Sequence, residues 1–230
     1  MKSVGIVIPA YNEQNRIVAT LQAVKSIAGV AKIMMVDDGS SDATVCLARA
    51  EGVYVLELEQ NRGKGGAMNA ALPYIDTEIV VFLDADLGES AKQAELLIKP
   101  VKDGITDLCI AAFPPPRKKG GFGLVKGTAA WALRKVGNIN ATAPLSGQRA
   151  MTRAVLQAVT PFNEGYGVEL GMTITALKKG FRVMEVPTTM SHQETGRDIR
   201  GFMHRGKQFI DVLKVLADLI GDIARATASK

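Results

Sequence analysis

Short apolar runs alternate with segments of helical spacing along the first half of the chain. Val4–Ile8 is a nearly continuous apolar run, as in a buried parallel strand, and Glu13–Ile27 then carries apolar residues three or four positions apart. Further strands are predicted at Lys32–Val36, Val53–Leu58, Glu78–Leu83 and Asp107–Ala112, with helices at Ala43–Ala50 behind an Asp42 N-cap, at Ala67–Tyr74, and after a capping box at Ser90–Gln93. This alternation predicts an α/β fold with an open, mostly parallel sheet and helices on both faces.

The second half of the chain is less regular. Its predicted elements are helices at Gly123–Val136, Thr152–Val159 and Val168–Lys179, a strand at Arg182–Val186, and a long helix over about Ile199–Ala226. No linker-like segment separates the halves, so residues 1–112 and 113–230 are expected to be two parts of one domain. A chain of 230 residues with 47% apolar and 22% charged residues is ordinary for a globular domain, which excludes a disordered or fibrous protein.

Polar clusters of the first half lie just after predicted strands or in loops at strand exits. They are Asn12-Glu13, Asp37-Asp38, Arg62-Gly63-Lys64-Gly65 and Asp84-Ala85-Asp86. Ligands of open parallel sheets bind at the carboxyl ends of the strands. We therefore expect these clusters to converge on one rim of the sheet.

Asp84 and Asp86 lie two positions apart where the predicted fourth strand ends. Two carboxylates in this arrangement can hold a hard divalent cation together with substrate phosphates. Such a cation neutralises a departing diphosphate. Many Asp-x-Asp pairs are solvated turns, but the position at a strand exit favours the functional interpretation here.

The glycines around Lys64 let backbone N–H groups approach an anion, and Lys64 adds a point charge for phosphate; a simple glycine-rich turn is the alternative. The pattern is neither a Walker loop nor a dinucleotide fingerprint. Tyr11 and the acidic residues near it offer a ring and hydrogen-bond acceptors for a nucleobase and ribose. For Asp37 or Asp38, an Asx turn is the simpler interpretation of the dipeptide Asp-Gly alone.

Charge is distributed unevenly within the net charge of +5. Residues 1–100 carry 9 basic and 13 acidic residues, whereas residues 101–230 carry 19 and 10. Together, basic side chains of the second half can hold a phosphate on an acceptor, although each alone is more simply a solvated residue. They include Arg117, Lys118, Lys119, Arg149, Arg153, Arg197, Arg200, Arg205 and Lys207. Aromatic residues make up only 5% of the chain and form no evident stacking platform, so nucleic acid is not an expected partner.

Cellular location and assembly have weaker signals. Two cysteines without a CxxC motif suit a cytoplasmic protein, and no apolar run is long enough to predict a membrane span. The long helix at residues 199–226 has a wide apolar face, for which packing on the domain or against a second copy is the favoured interpretation. Contact with a membrane surface at the inner face is the alternative, and the acidic residues of the helix disfavour it.

Four linked segments resemble the nucleotide-sugar-binding half of family-two-type glycosyltransferases, which polyprenyl- and dolichyl-phosphate sugar synthases share. They read IPAYNE, VDDGSSDAT, NRGKGGAMNAAL and VVFLDADLG. The second half is similar to glucosyl-3-phosphoglycerate synthases at residues 145–148, 161–162, 165–169 and at His192. This resemblance implies a GT-A fold and transfer of a sugar from a nucleotide sugar, with a UDP-sugar expected, to a phosphate-bearing acceptor.

The same resemblance implies roles for individual residues. Donor contacts are implied for Pro9, Tyr11, Glu13, Asp38, Lys64 and Asp84, with Asp37 beside them. Asp86 and His192 are implied as ligands of Mn²⁺ or Mg²⁺, and Glu169 is implied to lie near the reacting sugar. Acceptor contacts are expected from Ser146, Gly147, Gln148 and Arg149, together with Arg117 and Lys118 of the basic loop. Because imidazole suits Mn²⁺ better than Mg²⁺, an Asp–His pair predicts that Mn²⁺ works at least as well.

Two departures from the phosphoglycerate enzymes leave the acceptor open. Gln148 replaces their glutamate, and Asp38 stands where they tend to have serine, which points toward the polyprenyl-phosphate group. Glu169 also has a simpler interpretation as a favourable charge at a helix N-terminus. A sugar-1-phosphate nucleotidyltransferase and a non-catalytic nucleotide-sugar sensor are the other classes, and the first lacks its Gly-rich Arg-Leu signature after the first strand.

Overall fold

A computed structural model describes residues 2–113, 123–137, 139, 141–162 and 167–191, with the side chains of residues 123–126 outside that description. The strands are β1 Val4–Ala10, β2 Val30–Asp37, β3 Tyr54–Glu57, β4 Ile79–Phe82, β5 Leu108–Ala112, β6 Arg149–Thr152 and β7 Val183–Pro187. The helices are α1 Ile17–Lys25, α2 Thr44–Ala50, α3 Gly63–Ala71, α4 Ala94–Lys102, α5 Gly123–Gly137, α6 Arg153–Val159 and α7 Val168–Lys178, with 3₁₀ turns at Leu72–Tyr74 and Gly88–Gln93.

The seven strands form one mixed sheet in the order β3-β2-β1-β4-β6-β5-β7. Strands β1, β2, β3 and β4 pair in parallel, and β5 pairs in parallel with β7. Among the strands of the described residues, only β6 runs antiparallel, between β4 and β5. The predicted open, mostly parallel α/β sheet is therefore confirmed.

The two faces of the sheet bury separate apolar clusters, as the alternation of side chains along a strand requires. In β1, Ile6 and Ile8 pack with α1 and α4, whereas Val7 faces the opposite side with α3, α6 and α7. All seven residues of β1 are buried, which explains its continuous apolar sequence. A third, smaller cluster joins α5 to α7.

Several predicted boundaries are wrong. Strand β6 was not predicted, because its four residues read as the approach to a helix. Helix α3 begins at Gly63 and not at Ala67, so the glycine-rich segment is its first turn. The proposed capping box at Ser90 is instead part of a 3₁₀ turn, where the Ser90 hydroxyl donates to the carbonyl of Leu87 at 2.6 Å. The long helix expected at residues 199–226 lies outside the described residues.

The N-cap of α2 lies one position after the predicted residue, Asp42. Ala43 occupies the cap of α2, and the Asp42 carboxylate accepts the backbone N–H of Thr44 at 2.9 Å.

Within the part of the chain that the structure describes, no helix combines the length and apolar character needed to cross a membrane.

Candidate active site

A cleft of about 240 Å³ opens at the carboxyl ends of β1, β2 and β4. The residues that line it are Pro9, Ala10, Tyr11, Glu13, Asp38, Lys64, Ala67, Asp84, Ala85 and Asp86. Side chains from all four polar clusters of the first half meet there, as their positions after strands led us to expect. Asp37 is the exception among the predicted donor residues, because its carboxylate turns into its own loop and accepts the N–H of Ser40 at 3.0 Å.

Hydrogen bonds between the loops after β1 and β2 fix the walls of this cleft. The backbone N–H of Asn12 donates to the Ser40 hydroxyl at 2.9 Å, and the Asn12 side-chain oxygen accepts the N–H of Ser41 at 2.8 Å. Gly39 adopts a φ of 77°, and a Cβ there would lie 3.1 Å from the backbone nitrogen of Asn61. The turn after β2 therefore requires glycine at this position.

Lys64 occupies the centre of the site and joins the two halves of the chain. Its Nζ lies 2.5 Å from Oδ1 of Asp84 and 3.0 Å from Oε1 of Glu169. Asp84 follows β4, whereas Glu169 is in the first turn of α7. Burial favours the neutral amine, but attraction to the two carboxylates outweighs it and raises the pKa of Lys64 above its ordinary value. Lys64 is thus a charged lysine positioned in the cleft.

Asp84 is held from the opposite side by Gln148. The Gln148 amide donates to Oδ2 of Asp84 at 2.6 Å and accepts the Asp84 backbone N–H at 2.9 Å. Gly147 lies against the same pair, since a Cβ there would lie 2.4 Å from Nζ of Lys64 and 3.1 Å from Oδ2 of Asp84. The backbone at Gly147 therefore lies so close to the Lys64–Asp84 pair that any larger residue would displace Lys64.

The remaining carboxylates of the cleft share a crowded environment. Burial, followed by the negative charges of Asp86, Asp42 and Asp84, raises the pKa of Glu13 to about 7. Burial also raises the pKa of Asp38, although its Oδ1 accepts the backbone N–H of Arg62 at 2.7 Å. Such crowding of carboxylates favours any ligand that brings positive charge.

Thr20 and Asn69 support the site without lining it, and sequence reasoning missed both. The buried Thr20 hydroxyl donates to the carbonyl of Ala85 and accepts the N–H of Gly88, each at 2.8 Å, so α1 fixes the loop that carries Asp86. The Asn69 side chain of α3 bonds both backbone groups of Phe162, at 2.9 and 2.8 Å. A polar residue at an inward position of an apolar helix face is the sequence signal for Thr20; Asn69 had none.

The predicted acceptor residues are mostly inside the protein. Gln148 and Arg149 have no exposed surface and Ser146 is 7% exposed, so these side chains are not open to an acceptor in this arrangement, and their contact with it stays a prediction. Arg149 donates from Nε to the carbonyl of Ser146 and from Nη1 to the hydroxyl of Thr173, both at 2.8 Å. Burial lowers the pKa of Arg149 to about 10, against the opposing charges of Glu169 and Glu185. The unpredicted strand β6 is the physical reason. It lies between β4 and β5, so Gln148 just before it and Arg149 at its start are both covered.

Of the other predicted site residues in the second half, one is described by the structure and three are not. Glu169 lies in the first turn of α7, as the predicted helix led us to expect, and its contact with Lys64 was not predicted. Arg117, Lys118 and His192 lie outside the described residues. Among the described residues, no three His, Cys, Asp or Glu side chains are grouped closely enough to form a metal site. The oxygen atoms of Asp84 and Asp86 nevertheless suit a hard divalent cation, and Asp86 is the described member of the predicted Asp–His pair.

Comparison with known proteins identifies the family. The family model for glycosyl transferase family 2 matches residues 5–147. An uncharacterised protein of Methanocaldococcus jannaschii is 31% identical over 94% of this chain and 90% of its own length. The polyprenol monophosphomannose synthase of Mycolicibacterium smegmatis is 28% identical over 83% of this chain and 78% of its own length. The chain belongs to glycosyl transferase family 2 and is a glycosyltransferase.

Solved structures of glucosyl-3-phosphoglycerate synthase from Mycobacterium tuberculosis have the same fold. The complex of that enzyme with Mg²⁺ and UDP is 25% identical, has a TM-score of 0.80, and covers 96% of this chain and 80% of the enzyme. A second complex, with Mn²⁺, UDP-glucose and phosphoglyceric acid, is 26% identical with a TM-score of 0.78 over the same share of each chain. The expected GT-A fold is therefore confirmed.

Proposed function

We propose that this glycosyltransferase moves a sugar from a nucleotide diphosphate sugar, with UDP as the nucleotide, to a small phosphorylated acid such as 3-phosphoglycerate. The observation that carries the proposal is the Lys64 ammonium held between Asp84 and Glu169 at the floor of the cleft. This places a fixed positive charge beside the carboxylates where a diphosphate would lie. Similarity to a synthase crystallised with UDP-glucose and phosphoglyceric acid supports the same pairing of substrates.

In this proposal the cleft residues after β1 and β2 bind the nucleoside. Tyr11 is 50% exposed, so its ring offers an open face for a base, and Pro9 lies beside it at the end of β1. Glu13 and Asp38 supply carboxylate oxygens on the same wall, and Asp84 supplies one on the floor. Lys64 contacts the nucleotide phosphates by exchanging part of its attraction to Asp84 and Glu169 for attraction to the diphosphate.

Asp86 and His192 would hold a divalent cation, Mn²⁺ or Mg²⁺. When bound, such a cation neutralises the charge that develops on the departing diphosphate. Thr20 keeps the Asp86 loop in place through its two hydrogen bonds, so Asp86 starts the reaction already oriented. Glu169 orients the sugar or the acceptor from the start of α7, because a phosphorylated acid with an ionised group needs little help from a base.

The proposed acceptor lies on the basic side of the cleft, where Arg117 and Lys118 of the loop after β5 would contact its phosphate. Gly147 and the backbone around it form the described part of that side. A polyprenyl phosphate is the second candidate acceptor, because a polyprenol monophosphomannose synthase matches 83% of this chain. Both acceptors present a phosphate, so the same basic side chains serve either one. We place the enzyme in the cytoplasm, with contact at the inner membrane face only if the acceptor is a lipid.

A donor screen tests the proposal. Thermal unfolding is measured with Mn²⁺ and each of UDP-glucose, GDP-mannose and other nucleotide sugars, and the donor that stabilises the protein is then incubated with each acceptor. We expect one UDP-sugar to raise the melting temperature only when Mn²⁺ or Mg²⁺ is present, and a glycosylated phosphorylated acid to form. Pyrophosphate release would instead identify a nucleotidyltransferase, and donor binding without transfer to any acceptor would identify a sensor.

A further inference from the structure

We infer that Gln148 is a positioning residue of the donor site, which orients the carboxylate of Asp84 and has no contact with the acceptor. The inference rests on the proposed function, because it assigns Gln148 to the donor side of that same site. The resemblance to phosphoglycerate enzymes had placed Gln148 with the acceptor. Its burial and its partners give it a different role.

The side-chain amide of Gln148 makes two hydrogen bonds to Asp84. Both ends of its amide bond Asp84: Nε2 donates to Oδ2 at 2.6 Å, and Oε1 accepts the Asp84 backbone N–H at 2.9 Å. The side chain has no exposed surface, so no acceptor can reach it while this arrangement holds. A paired amide of this kind fixes both the position of the Asp84 backbone and the rotation of its carboxylate.

The sheet explains why Gln148 lies there. Strand β6 pairs antiparallel with β4, and Arg149 is opposite Phe82 in that register. Gln148 therefore comes just before β6 at the level where β4 ends and Asp84 follows. Its own carbonyl accepts the N–H of Ala111 at 3.0 Å, which anchors the residue to β5 as well. The backbone of Gln148 is thus fixed between two strands before its side chain makes any contact.

The neutral amide matters because Asp84 already bears a charge partner. Oδ1 of Asp84 lies 2.5 Å from Nζ of Lys64, and Gln148 supplies an N–H to the other oxygen without adding a second charge. Loss of this N–H would take away the hydrogen bond that sets the rotation of the Asp84 carboxylate. The carboxylate could then turn away from the orientation that Lys64 and the donor require.

Two variants test the assignment: Gln148→Met keeps the length of the side chain without its polarity, and Gln148→Asn keeps the amide but shortens the side chain so that it no longer reaches Asp84. Binding of UDP with Mn²⁺ is measured by calorimetry, and the KM of the acceptor is measured at saturating donor. We expect the Kd of UDP to rise at least about tenfold in both variants, since each loses a hydrogen bond to a charged group, with the acceptor KM within about twofold of wild type.

A purely structural role would lower the active fraction and kcat without this change in Kd, and an acceptor contact would move the acceptor KM alone. Either result, or a Kd within about twofold of wild type in both variants, would overturn the assignment. Gln148→Asn keeps the experiment valid if Gln148→Met does not fold, and Gln157→Asn on the exposed face of α6 is the matched control. Failure of the proposed function is distinct, because wild-type protein would then bind no nucleotide with Mn²⁺.

Discussion

Residues before and after the end of β5 contribute to the candidate site by different means. The proposed donor side places Tyr11 and Asp86 on loops after strands and Lys64 in the first turn of α3, and all three line the cleft. The acceptor side contributes buried polar groups, of which Gln148 and Arg149 have no exposed surface. One half of the site thus presents side chains to the cleft in which we propose that the donor binds, whereas the described part of the other half holds those side chains in place.

The antiparallel strand β6 is the structural origin of this difference. It lies between β4 and β5 in the centre of the sheet, so residues entering it are covered on both sides. Residues that follow the end of a strand are less covered, as Asp84 and Asp86 after β4 show, because both are half-buried. Position in the sheet, more than residue type, therefore decides which polar side chains are available to a ligand.

The largest effect is expected for Asp86→Ala, which removes the described carboxylate of the predicted cation site on the donor side. Loss of the cation leaves the charge on the departing diphosphate uncompensated, so transfer should fall by about a thousandfold or more. The rate of sugar transfer at saturating Mn²⁺ is the measurement. Asp76→Ala is the control, because Asp76 precedes β4, is 75% exposed and pairs only with Lys32. Retention of more than about a tenth of the wild-type rate in Asp86→Ala would contradict the account.

Gly147→Ala tests the close approach between the two sides of the cleft. The added Cβ would lie 2.4 Å from Nζ of Lys64, so Lys64 must leave its contact with Asp84. We expect kcat/KM for the donor to fall by roughly 10- to 100-fold, about 1.4–2.7 kcal/mol. Gly127→Ala on α5 is the matched control, since a Cβ there meets no atom within 4 Å. Equal activity of the two variants would show that the Lys64–Asp84 contact is not needed.

Arg149→Met separates a supporting role from direct contact with the acceptor. It removes hydrogen bonds to Ser146 and Thr173, so the free energy of unfolding should decrease by about 1–3 kcal/mol. The acceptor KM of the folded variant should stay within about twofold of wild type. Chemical denaturation and steady-state kinetics give the two values, with the exposed Arg153→Met as control. An acceptor KM raised tenfold at unchanged stability would restore Arg149 as an acceptor contact.

The smallest effect is expected from Glu13→Gln in metal-free protein. The raised pKa of Glu13, from 4.5 to about 7, means that the folded state holds a proton which the unfolded state releases in that range. Stability therefore decreases as pH rises between these values and levels off above them. Glu13→Gln should remove this decrease and gain on the order of 1–2 kcal/mol at pH 8 over wild type. Urea denaturation from pH 4.5 to 8 measures it, and parallel pH profiles of the two proteins would refute the shift.

How far the sequence reaches also differs between the two sides. The spacing of apolar positions located the strands, and ligands of parallel sheets bind where strands end. Together these two observations correctly predicted that five residues share one cleft: Glu13, Asp38, Lys64, Asp84 and Asp86. The sequence did not reveal β6, because four residues leading into a helix carry no strand period of their own. The burial of Gln148 and Arg149 therefore did not follow from the sequence, and the resemblance alone suggested their contact with the acceptor. Asn69 was missed because its partner, the backbone of Phe162, lies far away in the chain and no local pattern encodes that contact. Thr20 has a sequence signal in its inward position on α1, but that signal does not identify its partners Ala85 and Gly88.

A transfer assay with two acceptors in competition tests the central claim most directly. Protein is incubated with UDP-glucose labelled in the sugar, Mn²⁺, and equal amounts of 3-phosphoglycerate and a short-chain polyprenyl phosphate, and the label is followed into aqueous and lipid products. We expect label in the phosphorylated acid. This product should be absent with the Asp86→Ala variant and when a chelator removes the metal. Label in the lipid alone would contradict the proposed acceptor, and metal-independent transfer would contradict the proposed mechanism.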